Sequence, residues 1–257
     1  MLIRIALLVL LSAALPARAI LVDSDDQARF QRAPDDDPGW ANVGFRAGTS
    51  AIYLGDGWVL TASHAGFGPV DFDGTVYEPV PSSRIQLTAP DDSEHKADLI
   101  LFRLDPAPDL PRLELTDTGP REGTAVILVG FGSGRGAPVA RGTLSGFRID
   151  GQKKRRWGTN RMDPGREKVP GPNKSTTQTF GMSFLRGGSD HESQATVGDS
   201  GGAVFVKEPN GWHLAGVMLS VQNFPGQAPV EVLFGNATFA ADLSLYAPQI
   251  ERILEAN

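Results

Sequence analysis

Hydrolysis of an amide by a serine needs a base within hydrogen-bond reach of the hydroxyl, a group that holds the base in the right tautomer, and donors for the developing oxyanion. Gly198-Asp199-Ser200-Gly201-Gly202 offers a serine in a glycine-rich turn, where the amides of Gly198 and Ser200 can converge on one point. Small residues let a substrate carbonyl approach the backbone closely. An ordinary polar turn uses the same residue types, so the segment needs partners to carry weight. Trp58-Val59-Leu60-Thr61-Ala62-Ser63-His64 runs an apolar strand into a histidine, and Ala97-Asp98-Leu99-Ile100-Leu101-Phe102-Arg103-Leu104 places a carboxylate at the head of another. A charge there must be paired or hydrogen-bonded. Among the other histidines, His95 lies in a charged loop, His191 in a Gly/Ser/Asp loop and His213 beside Trp212 in a strand; Asp91 and Asp92 read as solvated.

The elements that must position these residues are short and β-prone. From Gly48 the chain alternates apolar runs with turn signals, and Gly55-Asp56-Gly57 between two such runs predicts a hairpin. Further strands are expected over Thr75–Glu78, Arg84–Thr88, Asp98–Leu104, Thr124–Val129, Gly142–Arg148, Thr177–Phe184, Gly202–Val206, Trp212–Val221 and Val230–Phe234. Such punctuation favours barrels or sandwiches. The proline-containing stretch Leu104–Glu122 divides the strands into two comparable halves, so barrels at about 40–110 and about 120–246 are expected. Only the C-terminus reads as helix, about 247–255, with Pro248 in the first turn and Ile250, Ile253 and Leu254 at helical spacing. Gly151–Lys174, with eight cations and two acids, reads as a solvated loop, and the acidic lead Val22–Gly39 as a surface segment without periodicity. Asp71-Phe72-Asp73-Gly74 has the carboxylate spacing of a calcium loop, but a plain Asp-Gly turn explains it better, and no metal or cofactor is expected.

Residues 1–19 have the layout of a secretory signal peptide: Arg4, an apolar run from Ile5 to Leu15, then Pro16, Ala17 and Ala19. The run is too short to span a bilayer. Cleavage after Ala19 would remove Arg4 and Arg18 and no acid, moving the formal charge from −6 to −8. That surface disfavours nucleic acid as a partner. Cysteine is absent, so stability rests on the core rather than on disulfides. These features predict a secreted or periplasmic protein of a bacterial envelope without a stable membrane span after cleavage; a monomer is the default expectation.

WVLTASH, ADLILFRL and GDSGG, in that order, resemble the three catalytic signatures of the chymotrypsin (trypsin-like) family. The α/β-hydrolase and subtilisin arrangements place the same residue types in other orders. Leu128-Val129-Gly130-Phe131-Gly132 and Gly211-Trp212-His213-Leu214-Ala215-Gly216-Val217 resemble second-barrel strands of that family, so the likeness covers about residues 40 to 257. It implies two packed six-stranded antiparallel β-barrels with a C-terminal helix, and a serine endopeptidase acting on polypeptides. By the same resemblance Ser200 is the nucleophile, His64 the general base, Asp98 the orienting carboxylate, and the Gly198 and Ser200 amides form the oxyanion hole. Ser220 matches the serine that bonds the triad carboxylate and begins the pocket wall. Gln194 falls at the pocket base, where a preference for Arg or Lys needs a carboxylate; Asp190 and Glu192 lie close enough in sequence to supply one if the loop is arranged differently. Val221 and Gln222 replace an aromatic and a glycine. Asp199 matches the aspartate that pairs with a freed N-terminal amine, which cleavage after Ala19 would place on Ile20. The alternatives are a catalytically inactive homologue acting as a binding module, and an esterase-type hydrolase using the same site.

Overall fold

The computed structural model describes residues 20–119 and 121–256; the expected signal peptide lies outside the described residues. Val43–Arg46, Thr49–Gly55, Trp58–Ala62, Val70–Phe72, Thr75–Pro79, Ile85–Ala89 and Asp92–Asp105 form one antiparallel sheet. The sheet closes into a barrel because Trp58–Ala62 pairs with both Thr49–Gly55 and Asp92–Asp105. Asp56 and Gly57 turn the expected hairpin, with φ of 51° and 85°. Two positive φ values suit the right-handed twist of the flanking strands.

The period of two explains why these strands read as unbroken apolar runs. Ala51, Tyr53, Val59, Ile100, Phe102 and Leu104 pack into one core with Val70 and Phe72. Their sequence neighbours Ile52, Leu54, Leu60, Leu99 and Leu101 point the other way, into a larger core shared with Val126, Leu128, Val204, Phe205 and Leu214 of the second half. Thr49–Gly55, Trp58–Ala62 and the stretch 97–102 of Asp92–Asp105 are therefore buried on both faces, and the strands that carry the histidine and the aspartate lie between the two cores.

In the second half, the order Arg156–Arg161, Ala125–Gly130, Ala203–Glu208, Gly211–Gln222, Ala237–Asp242, Thr176–Ser183, Glu167–Pro170 makes another antiparallel sheet. The amide of Asp163 donates to Gly181 O at 2.9 Å, which curls this sheet back on itself. Ser133–Arg141, Leu144–Lys153 and Glu231–Leu233 form a smaller sheet beside it. Each of the two larger sheets holds seven strands.

Three expectations are corrected. Gly151–Lys174 is not a loop: it contains the end of Leu144–Lys153 and the strands Arg156–Arg161 and Glu167–Pro170. Its cations mislead because Arg155 and Arg156 are buried, and Trp157 packs edge-on against Phe30 at 5.2 Å. That contact also anchors the lead segment, which carries Phe30 into the core. The helix runs from Leu243 to Glu255, four residues longer than expected at its start, because Asp242 caps it through the Ser244 amide at 3.2 Å. Pro248 therefore lies inside the helix rather than in its first turn.

Candidate active site

His64 lies in the short turn Ser63–Ala65 that ends the strand Trp58–Ala62. Asp98 Oδ2 is 2.6 Å from His64 Nδ1, and Asp98 Oδ1 accepts the main-chain N–H of His64 at 3.0 Å. The carboxylate can only accept, so Nδ1 carries the proton and Nε2 presents its lone pair. The Asp98 side chain is 6% exposed and the His64 side chain 31%, which shields the orienting group and leaves the ring open to a substrate. The amide of Asp98 donates to Thr177 Oγ1 at 2.8 Å, fixing the backbone that carries the carboxylate.

The Ser200 loop is tied to the same wall. Thr61 Oγ1, three residues before His64, donates to Ser50 O at 2.7 Å, and Ser50 N donates to Ser200 O at 2.9 Å. Ser50 Oγ donates to Gly198 O at 3.2 Å and accepts the Phe131 amide at 2.9 Å. Gly201 is required where it stands: its φ is 82°, and a Cβ there would collide with Ser50 O and Thr61 Oγ1. In this structure Ser200 Oγ and the His64 ring are not hydrogen-bonded to each other. Catalytic hydrogen bonds are often long without substrate and tighten when it binds.

The amides of the loop divide into two groups. Those of Asp199, Gly201 and Gly202 are engaged by Thr196 O, Met218 O and Asp199 O at 2.8–3.0 Å. Among the described residues, the amides of Gly198 and Ser200 donate to no protein acceptor. Two unengaged donors on the serine's own loop, one on either side of the Asp199 amide, are what an oxyanion requires. Gly198 holds a φ of 107°, open to glycine and strained for other residues.

Asp199 is fully buried and braces this loop. Gly132 N donates to Oδ1 at 2.6 Å, and Thr196 N and Oγ1 donate to Oδ2 at 2.8 and 3.2 Å. Burial pushes its carboxyl up from 3.8 to about 6, against the pull of these hydrogen bonds and of the Arg156 charge. A carboxyl with a higher pKa folded than unfolded holds its proton more tightly when folded. Its contribution to stability is present below 3.8 and lost as pH rises through about 6. Asp199→Asn, which does not titrate, should gain about 2–3 kcal/mol relative to the native chain between about pH 4 and about pH 7. Urea unfolding of both chains at the two pH values checks this, and an unchanged difference refutes it.

The pocket residues are placed unevenly. Ser220 lines a cavity of about 220 Å³ together with His64, Asp98, Leu219 and the segment Val169–Pro172. It makes no hydrogen bond to Asp98; both carboxylate oxygens serve His64, and that expectation is corrected. Ser220, Val221 and Gln222 pair with Phe239, Thr238 and Ala237, and the side chains of Val221 and Gln222 reach the surface. Gln194 is buried and pairs with Leu21, and its Oε1 has no hydrogen-bond partner. Glu192 is also buried, with its carboxylate held by Leu185 N and Ser189 Oγ, each at 2.7 Å. Ile20 is buried beside the Leu21–Gln194 pairing and makes no hydrogen bond to Asp199. In the Asp71–Gly74 turn, Asp71 Oδ1 takes the Gly74 amide at 2.6 Å and Asp73 pairs with Arg155.

Ser50, Thr177 and Gly171 were not legible as site residues. Ser50 clamps the Ser200 loop, and Gly171 passes so close that its Cβ would stand 3.1 Å from Asp98 Cβ. All three act through tertiary contacts, and none has a local motif.

No family model matches the chain, and no curated protein matches it. Among solved structures, neuropsin, a serine protease expressed in the limbic system of mouse brain, is similar with a TM-score of 0.55 at 17% identity, over 88% of this chain and 98% of that one. The Rv3671c protein of M. tuberculosis H37Rv, as a serine-to-alanine mutant in an inactive form, gives 0.54 at 15% identity, over 91% of this chain and 96% of that one. The active form of the Rv3671c protease gives 0.51 at 15% identity, over 80% and 73%. At these identities the likeness is one of architecture. The chain has the two-barrel fold of the chymotrypsin-like serine proteases.

Proposed function

We propose that the protein is an exported serine endopeptidase. The observation that carries this reading is the pair of unengaged amides, Gly198 and Ser200, on the serine's own loop, beside a wall that holds a correctly polarised His64–Asp98 pair. In the proposed reaction Ser200 Oγ bonds to the scissile carbonyl carbon while His64 Nε2 takes the hydroxyl proton. The carbonyl oxygen becomes an oxyanion held by the two amides. The C–N bond then breaks, His64 returns the proton to the departing amine, and an acyl-enzyme remains. Water repeats the sequence with His64 again as base, releasing the acid. Asp98 stabilises the imidazolium throughout. Export is proposed from the pattern of residues 1–19.

Gln194 is neutral and Glu192 is held by its own neighbours, which supports a preference for small or uncharged residues before the scissile bond. Cleavage before Ile20 would leave an amine in a buried setting beside the Leu21–Gln194 pairing, on the segment that leads into the Asp199 loop, and the hydrogen-bond donors to Asp199 are otherwise neutral. We assign that amine a bracing role.

One experiment tests these points together. The full chain and a chain starting at Ile20 are treated with a fluorophosphonate, the adduct is mapped, and peptide and ester turnover are compared. The expected result is labelling at Ser200, faster in the chain starting at Ile20, with peptide bonds cut and few cuts after Arg or Lys. No label on Ser200 overturns the peptidase reading. Equal labelling rates remove the role of Ile20, ester turnover alone favours the esterase, and a profile dominated by Arg or Lys overturns the neutral pocket.

A further inference from the structure

Two cations border the cleft that the reaction does not use. Arg46 ends the strand Val43–Arg46, and Lys153 ends Leu144–Lys153. The turn Ala47–Gly48, with φ of 43° and 87°, lies between their contact points. On one side, Arg46 Nη1 donates to Ala65 O at 2.6 Å, one residue after His64, and its guanidinium is 3.3 Å from where a Cβ on Gly66 would stand. On the other, Lys153 Nζ donates to Gly48 O and presses against Gly198, where a Cβ would collide with it. The pair therefore flanks the base on one side and the oxyanion loop on the other.

Neither cation has a carboxylate partner among the described residues. Elsewhere Arg155, Arg135, Arg141 and Arg166 are answered by Asp73, Asp25, Glu231 and Asp242. Arg46 Nε is buried without a hydrogen-bond partner, and burial lowers the pKa of that guanidinium. A partly desolvated cation bonded only to carbonyl oxygens is destabilised until an anion reaches it. In a chain of net charge −6 this edge stands out as cationic. There is also room: Lys153 opens onto a cavity of about 550 Å³ walled by Trp40, Phe45 and Phe131. The acids of that cavity are engaged by its own wall, Asp73 by Arg155 and Asp71 by the Gly74 amide.

On the peptidase reading, the acyl side of a substrate is assigned to the strand Gly211–Gln222, whose Ser220 lines the cavity beside His64 and Asp98. The leaving side then passes Gly198 and the Gly48 turn. Resting on the peptidase reading, we infer that Arg46 and Lys153 form a subsite for an acidic side chain within three residues after the scissile bond. The substrates it selects are peptides carrying Asp or Glu on the leaving-group side.

The test begins with digestion of an unrelated denatured protein mixture by the full chain, with cut sites read by mass spectrometry. Asp and Glu should be enriched about threefold or more at one of the three positions after the cut. Matched peptides built on the best site, with Glu or Gln at that position, then report a ratio of kcat/KM within each protein. A charge-assisted hydrogen bond corresponds to about tenfold in favour of Glu for the native chain. The ratio should fall toward one in K153Q and in R46Q, drop below one in K153E, and shrink in the native chain as salt is raised. A native ratio near one overturns the subsite and leaves the peptidase reading standing. No cleavage of either peptide, together with an unlabelled Ser200, overturns both.

Discussion

Replacing His64 by alanine should lower kcat for peptide hydrolysis by about 10⁵–10⁶-fold with little change in KM. On the proposed mechanism the His64 ring takes the Ser200 proton, and without it the hydroxyl attacks at its own feeble nucleophilicity. The Gly198 and Ser200 amides survive the substitution, so a residual acceleration of about 10³-fold over water should persist. The fold should tolerate the change. The His64 side chain is 31% exposed, and its main-chain N–H still serves Asp98 at 3.0 Å. The loss is one hydrogen bond to a shielded carboxylate, about 1–3 kcal/mol. Steady-state kinetics alongside urea unfolding separates these effects. A variant within tenfold of the native rate would mean that His64 is not the base.

The segments that carry the proposed triad are legible in the sequence because strand periodicity, unlike tertiary contact, is written locally. The run Trp58–Ala62 reads as an apolar strand, which puts the histidine that follows it at a strand end. Asp98, at the head of Leu99–Leu104, had to be paired because its neighbours are buried. The Asp56-Gly57 hairpin that sets the register of the first pair has the positive φ values its residues suggest.

What was not legible depends on packing from a distance. Arg156 reads as one of a run of solvated cations, yet it is among the largest fully buried side chains. Gly130, Gly132 and Gly134 alternate along one stretch and leave room for the Asp199 carboxylate and the Arg156 guanidinium. A Cβ on either of the first two would strike the Asp199 carboxylate, and a Cβ on Gly134 would stand 2.8 Å from the Arg156 guanidinium. The alternation is visible in the sequence, but what fills the trough is not. The same limit hid Ser50 and Thr177. A serine and a threonine within strands have no signature until the loop and the carboxylate they hold are in place. Pro248 misled in the opposite sense, since a proline usual in a first turn marks no start when Asp242 caps the helix six residues earlier.

Asp98→Asn should cost about 10⁴-fold in kcat, and the geometry says why the near-isosteric change is so damaging. Asp98 accepts two N–H groups from the same residue: the main-chain amide of His64 on Oδ1 and the ring Nδ1–H on Oδ2. An asparagine has one oxygen and one NH₂ to offer. The main-chain amide can only donate, so it claims the side-chain oxygen and turns the NH₂ toward Nδ1. To avoid two donors facing each other, the ring must accept at Nδ1 and carry its proton on Nε2. Nε2 then faces Ser200 as a donor and cannot take its proton. The oxyanion amides and the pocket are untouched, so KM should change little while kcat collapses. Nitrogen NMR of the His64 ring should show the proton on Nδ1 in the native chain and on Nε2 in the variant. If the tautomer moves and the rate does not, the His64–Asp98 contact is structural rather than catalytic; if neither moves, the amide has found another orientation and the two-acceptor account of Asp98 is wrong.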